Sequence, residues 1–523
     1  MAKILRKITA AFIILIMVAG LAGCRKVDTP TPEQPGQAIP PAVEQPRVLS
    51  PDGAVIEFSK TGAGGEAVNV TLKGGDVDYY KGDELISPDF RWASFSAAEE
   101  DFGQGLWVFA LDGSRAQLVE RIQGEDFETG AVRVWLLGWD DGDNLIYAVS
   151  GKFKEGEYEG REGLLFNKFN PESGEKKEIG RLPLKDGYWS RMMFIRAKNT
   201  VFVDLITEIW KINVAKGGIS PLKRGLPSYD GLFFPRLSPG GDHFTYEKYE
   251  PEGNGIYILD TTTGEEKLLV KGGEVMHFSP TWSPDGRHIA YYSAGKDGEG
   301  YFDLIQGENY PYPVGDAIGI VSVKDGKNSK IEIPGKKVGY VSWSPDGTAF
   351  LFSAISAEKA EEIKEKSFSA EEEVYKIPWD GLYMADISGN VTEITGGLGP
   401  SVAALLNRDR SAAYFVEMSG TGSDNELWYL PVGRDKMKLN PDGVERWIVS
   451  DDGITHYRGN PVLAGYLQDG SFRLYVFDGE KANTVFSGNG NLWRYTVVGN
   501  YLVLSYTAAE SQTEKLCFIK LEN

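Results

Sequence analysis

His243, His277, His288 and His456 are the only imidazoles in 523 residues, and they limit the chemistry open to this chain. His243 and His288 each stand five places after a serine, Ser238 and Ser283, so they mark a repeated turn position rather than a site. His277 has no such counterpart, yet a metal centre needs three or more convergent ligands and one imidazole does not supply them. Asp140-Asp141-Gly142-Asp143-Asn144 and Asp451-Asp452-Gly453 have the look of calcium ligands. Aspartate and glycine also dominate ordinary hairpin turns, and the turn is the reading taken here. The chain contains no Gly-x-Ser-x-Gly elbow, no phosphate-binding Gly-x4-Gly-Lys-Ser/Thr loop, no Cys-x-x-Cys, no His-Glu-x-x-His and no complete EF-hand loop. No metal and no cofactor are expected, and binding is favoured over catalysis.

The elements that must carry any site come from a repeat. Trp282-Ser283-Pro284-Asp285-Gly286, followed by apolar Ile289-Ala290-Tyr291-Tyr292, returns as Trp343-Ser344-Pro345-Asp346-Gly347 with Phe350-Leu351-Phe352. Ser238-Pro239-Gly240-Gly241 is a degraded copy, and Ser87-Pro88-Asp89 and Ser50-Pro51-Asp52-Gly53 are weaker echoes. Proline presets the second turn position, serine and aspartate bond nearby amides, and glycine takes positive φ, so the motif joins two strands. The second half of the unit is a hairpin of two further apolar runs, which recurs at 106–119, 164–179, 208–222, 256–269, 318–333, 381–394, 426–439 and 473–486. With 63 glycines for tight turns, the chain reads as all-β.

Four-stranded antiparallel units 40 to 60 residues apart, each too small to stand alone, predict the blades of a single β-propeller. Nine candidate units can be counted; eight blades are favoured, with seven or nine possible. The last unit ends at Leu516-Cys517-Phe518-Ile519 without a fourth strand. One of two unassigned runs, Val55-Ile56-Glu57-Phe58 or Val68-Asn69-Val70-Thr71-Leu72, is expected to complete it and close the ring with an N-terminal strand. The Trp-Ser-Pro-Asp-Gly repeat resembles the WD40-like, or PD40, repeats of TolB-type propellers, clearest at 278–293 and 340–354. That resemblance implies the fold and leaves activity open, because such propellers serve as periplasmic adaptors, as domains fronting prolyl-oligopeptidase-type enzymes, and as polysaccharide lyases. Lyases of this fold place metal-binding histidines near the central channel, where His277 would lie. The alternative function is therefore a polysaccharide lyase or hydrolase using a channel-mouth site near His277.

Three insertions, 151–163, 296–317 and 356–381, interrupt units between their second and third strands. Strand direction alternates in a blade, so all three should emerge on one face. The middle insertion offers Tyr301, Phe302, Tyr310 and Tyr312 beside Pro311 and Pro313, flat apolar area with hydroxyls at low entropic cost. The third has a Glu- and Lys-rich helical run at 357–368, then Tyr375 and Trp379. These loops suit a lid over the channel mouth, and the expected role is a binding or scaffold module for a protein, peptide or glycan of the cell envelope. Trp107, Trp135, Trp210, Trp282, Trp343 and Trp428 sit at strand positions and should pack between blades.

Lys3, Arg6 and Lys7 precede an uncharged run ending at Gly23, too short to span a bilayer comfortably. Leu21-Ala22-Gly23-Cys24 resembles the lipobox of bacterial lipoproteins. That implies a signal peptide at 1–23 and a lipidated Cys24. Residues 24–47 then form a proline-rich tether, about 3.1 Å per residue and roughly 60 Å in reach, before a propeller at 48–523. The expected location is extracytoplasmic, membrane-anchored through Cys24, with a cell-envelope partner. Loss of the leader takes three positive charges from a chain of net charge −20, leaving −23. So acidic a surface repels nucleic acid, which is excluded as a partner.

Overall fold

The computed structural model describes residues 47–60, 66–72, 76–78, 82–99, 103–123, 132–185, 189, 191–226, 235–248, 254–295, 302–306, 310–368, 379–396, 401–407, 409–418, 425–448 and 455–521. The leader, Cys24, the tether up to residue 46, Tyr301, Tyr375 and the 451–453 turn lie outside them. Residues 46–523 belong to one compact unit.

The repeated turn does in the structure what its residue types require. The Ser283 hydroxyl donates to Asp285 Oδ1 at 2.6 Å and accepts from the His288 N–H at 3.0 Å, while Gly286 takes φ +68°. Ser344 repeats this with Asp346 Oδ1 at 2.6 Å and the Ala349 N–H at 3.1 Å. Ser87 does the same with Asp89 and the Trp92 N–H, although Phe90 occupies the glycine position at φ +58°. Two copies are hidden by substitution. Asn407 Oδ1 accepts the Ala412 N–H at 3.0 Å, and Asp140 Oδ1 accepts the amides of Gly142 and Asn144. Burial raises the Asp140 carboxyl, but bonds from Lys168 (2.7 Å) and Asn144 outweigh it and hold the group below the ordinary range. Asp140 is thus spent on its own turn.

Each turn joins the first two strands of a four-stranded antiparallel unit. The units span 76–123, 133–183, 191–224, 236–270, 275–331, 336–396 and 401–439, and two more share the ten-stranded sheet. In that sheet Lys481–Val498 is long enough to be the fourth strand of one unit and the first of the next. The final unit continues through Tyr501–Ala508 and Glu514–Lys520 and takes Glu66–Leu72 as its fourth strand, with Ala67 to Val70 paired to Ile519 to Leu516. Ala54–Lys60 and Arg47–Leu49 extend it further outward. Of the two unassigned runs, Val68 to Leu72 is therefore the one that pairs with the C-terminal strand. Eight hydrogen-bonded sheets hold nine four-stranded units among the described residues.

Successive units pack face to face, the arrangement of a β-propeller. Phe202 meets Phe244 edge-on at 5.3 Å between the third and fourth, and Phe472 meets Tyr506 at 5.3 Å between the eighth and ninth. Phe109 of the first unit meets Phe518 of the ninth at 5.4 Å, inside one cluster that also holds Val68 and Val70. Trp107 is fully buried, Trp282 nearly so, and Trp135, Trp210, Trp343 and Trp428 lie against the clusters between units, as their strand positions predict.

Candidate functional site

In each unit the first-to-second and third-to-fourth turns share one end, and the second-to-third connection leaves from the other. All three insertions do connect second to third strands. Residues 153–161 fold back on their own unit: the Phe153 and Tyr158 rings meet at a tilt of 45° with centroids 6.0 Å apart, and Arg181 donates to the Glu155 carbonyl at 2.6 Å.

The middle insertion behaves differently. Phe302–Gln306 and Tyr310–Gly315 form a hairpin whose second strand leaves its own unit and pairs Val314 with Gly339 and Gly315 with Val338. Those partners lie on the first strand of the next unit, at the edge opposite its fourth strand. In its backbone register Phe302 pairs with Val314, Leu304 with Tyr312 and Gln306 with Tyr310. Val314 is fully buried with Ala360, Ile355 and Trp379.

Helix Ala357–Phe368 lies against this hairpin. Ser356 caps it by accepting the Lys359 N–H at 3.3 Å, and Asp380 accepts the Ser356 N–H and pairs with the Lys359 ammonium. Trp379 is only 3% exposed, so its ring is part of this core and has almost no surface to offer a ligand.

His277 lies in Val275–Trp282, buried, with Tyr291 edge-on at 5.0 Å. Nε2 faces the Lys271 carbonyl at 3.1 Å and Nδ1 faces Ser293 Oγ at 3.1 Å. A carbonyl only accepts, so Nε2 carries the proton and Nδ1 accepts from the Ser293 hydroxyl. Burial lowers the imidazole's proton affinity, against a smaller opposing effect of the Lys271 carbonyl. Asn254 donates to the His277 carbonyl at 2.8 Å and to Glu247 Oε2 at 3.2 Å, and Glu247 Oε1 accepts the Ser279 N–H at 2.5 Å. This polar network ties the fourth and fifth units together. Among the described residues no three histidine, cysteine or carboxylate side chains are placed to hold a metal ion.

Sequence reasoning missed Trp493. The register skips it between Leu492 and Arg494, so it is the extra residue of a β-bulge, 58% exposed, with its indole N–H held by Thr507 Oγ1 at 2.8 Å. Thr507 is near the end of a second strand, which places this ring at the insertion-bearing end of its unit. The available signal was Gly488-Asn489-Gly490-Asn491 just upstream, a composition that suits a bulge.

No protein-family model matches the chain. Part of it is 25% identical, over 228 residues, to the uncharacterized peptidase YuxL of Bacillus subtilis (strain 168), covering 42% of this chain and 29% of that protein. Among solved structures, it is similar to TolB from Acinetobacter baumannii, with 12% identity, 72% of this chain and 81% of that one covered, and a TM-score of 0.28. The β-propeller domain of the trilobed protease from Pyrococcus furiosus matches at 13% identity, 72% and 91% coverage and a TM-score of 0.33. An oligogalacturonate lyase in complex with manganese matches at 10% identity, 91% and 98% coverage and a TM-score of 0.37.

Proposed function

We propose that the nine units close one nine-bladed ring, a blade more than the sequence favours. In this reading the protein is an extracytoplasmic lipoprotein, tethered through Cys24, that binds a protein, peptide or glycan of the cell envelope. The docking surface is the end of the ring that carries the second-to-third connections. One observation carries this reading: the 302–315 hairpin adds itself to the first-strand edge of the neighbouring blade beneath a capped helix. First strands are innermost in a propeller, so the hairpin and helix overhang the channel mouth. Trp493 adds an exposed, oriented ring at the same end of its blade, the kind of anchor that dominates binding interfaces. A lyase or hydrolase centred on His277 gains no support, because both ring nitrogens are already engaged.

The test replaces residues 299–311 by a short Gly-Ser linker and, separately, makes Trp493→Ala. Both variants should unfold cooperatively near the parent's midpoint and lose crosslinking-based capture of the envelope partner; capture equal to the parent's would remove the proposal. Cys24→Ala should release the protein from membranes into the soluble fraction, and continued retention would count against the anchor.

A further inference from the structure

At the opposite, turn-bearing end, between the third and fourth units, lies a cleft of about 490 Å³, within the range that takes a small organic ligand. Its floor is one face of the third unit. Thr200 pairs with Asn213, Phe202 with Lys211 and Lys211 with Ser220, two cross-strand rows that share a side. The facing wall is the Thr261-Thr262 turn of the fourth unit.

In a chain of net charge −20, the lining contains two lysines and no carboxylate. The Lys198 ammonium pairs with Asp242 at the rim. Lys211 meets no carboxylate among the described residues; its ammonium donates to the Thr262 carbonyl at 3.0 Å and keeps further N–H groups in hand. Asp260, which precedes that turn, is directed into its own loop, accepting the Thr262 and Thr263 amides at 2.8 and 2.7 Å. Asn213 spends its oxygen on the Lys216 N–H at 2.8 Å, which leaves its amide hydrogens for the cleft. The hydroxyls of Ser220 and Thr262 complete a wall of donors around one uncompensated cation.

We propose that this cleft binds a small polyhydroxylated anion, a sugar acid or a sugar phosphate, with the oxyanion on Lys211 and the hydroxyls on Asn213, Ser220 and Thr262. A neutral sugar would leave the ammonium unmatched, and a bare anion would leave the amide and hydroxyls unmatched. The cleft and the docking surface are at opposite ends of their units, so neither proposal depends on the other.

Isothermal titration of the full chain with glucuronate, glucose 6-phosphate, glucose and inorganic phosphate tests this. Glucuronate or glucose 6-phosphate should bind saturably, about tenfold or more tighter than glucose or inorganic phosphate, and whichever binds identifies the source of the oxyanion. Lys211→Met should weaken that ligand about tenfold or more, as expected for a lost charge-assisted bond. Asn213→Ala, at an exposed strand end, is the second variant should Lys211→Met fold poorly, and it too should weaken binding. Absence of saturable binding, equal binding of glucose or inorganic phosphate, or unchanged affinity in the folded variants would overturn the proposal.

Discussion

His277 is held neutral by the fold: buried, with its donor on a carbonyl and its acceptor under a hydroxyl. Burial also lowers the proton affinity of His456. The unfolded chain takes up a proton near the ordinary value of about 6.5, so as pH falls through that point the unfolded state gains charge that the native state refuses. Stability contributed by these rings is present above about pH 6.5 and lost below it, at up to about 1.4 kcal/mol per pH unit for each fully refusing ring. Asp204 opposes this, since burial pushes its carboxyl up. Urea unfolding of the parent and of His277→Gln between pH 7.5 and 5 separates the two: the parent should lose more stability on acidification than the variant. Equal losses would show that His277 protonates freely in the native state.

At the scale of elements, the repeated turn is a unit of stability. Ser283 and Ser344 are fully buried, and each holds a backbone N–H that has no water to replace it. Ser283→Ala and Ser344→Ala should each cost about 1 to 3 kcal/mol in chemical unfolding, the penalty for an orphaned buried donor. A Ser→Ala change on the exposed Ser114 turn should cost little by comparison. The turn residues were legible because proline, aspartate and glycine leave few backbone choices. The Asp140 turn was legible as a turn but not as a copy of the repeat, and the Asn407 copy was not legible, because an amide or carboxylate oxygen replaces the serine hydroxyl and the motif disappears while the bond stays.

For the whole molecule, the seam between the chain's ends is the critical joint. Cys517 is fully buried there, its thiol donating to Asn69 Oδ1 at 2.9 Å, and burial pushes its pKa up to about 12. In a Cys24→Ala background, where Cys517 is the remaining thiol, thiol reagents at pH 8 should label it only in denaturant. Removal of residues 47–72 strips the strand that covers it and leaves Glu514–Lys520 as an open edge, so native labelling should become fast and unfolding should lose cooperativity. Protection that survives this truncation would mean that the seam does not depend on the N-terminal strand.

What the amino-acid order settled by itself was local. Turn chemistry and strand alternation act within about ten residues, and they were enough to predict an all-β chain of four-stranded units, the hairpins in them and the position of the three insertions. Tertiary structure decided whatever depends on partners distant in sequence. The middle insertion hydrogen-bonds to the next unit rather than its own, and Trp379 faces the core rather than a ligand. His277 closes its bonds against Lys271 and Ser293, and a single strand serves two units at once. No local periodicity encodes these, because a strand edge or a ring nitrogen is satisfied equally well by any donor or acceptor that folding brings to it.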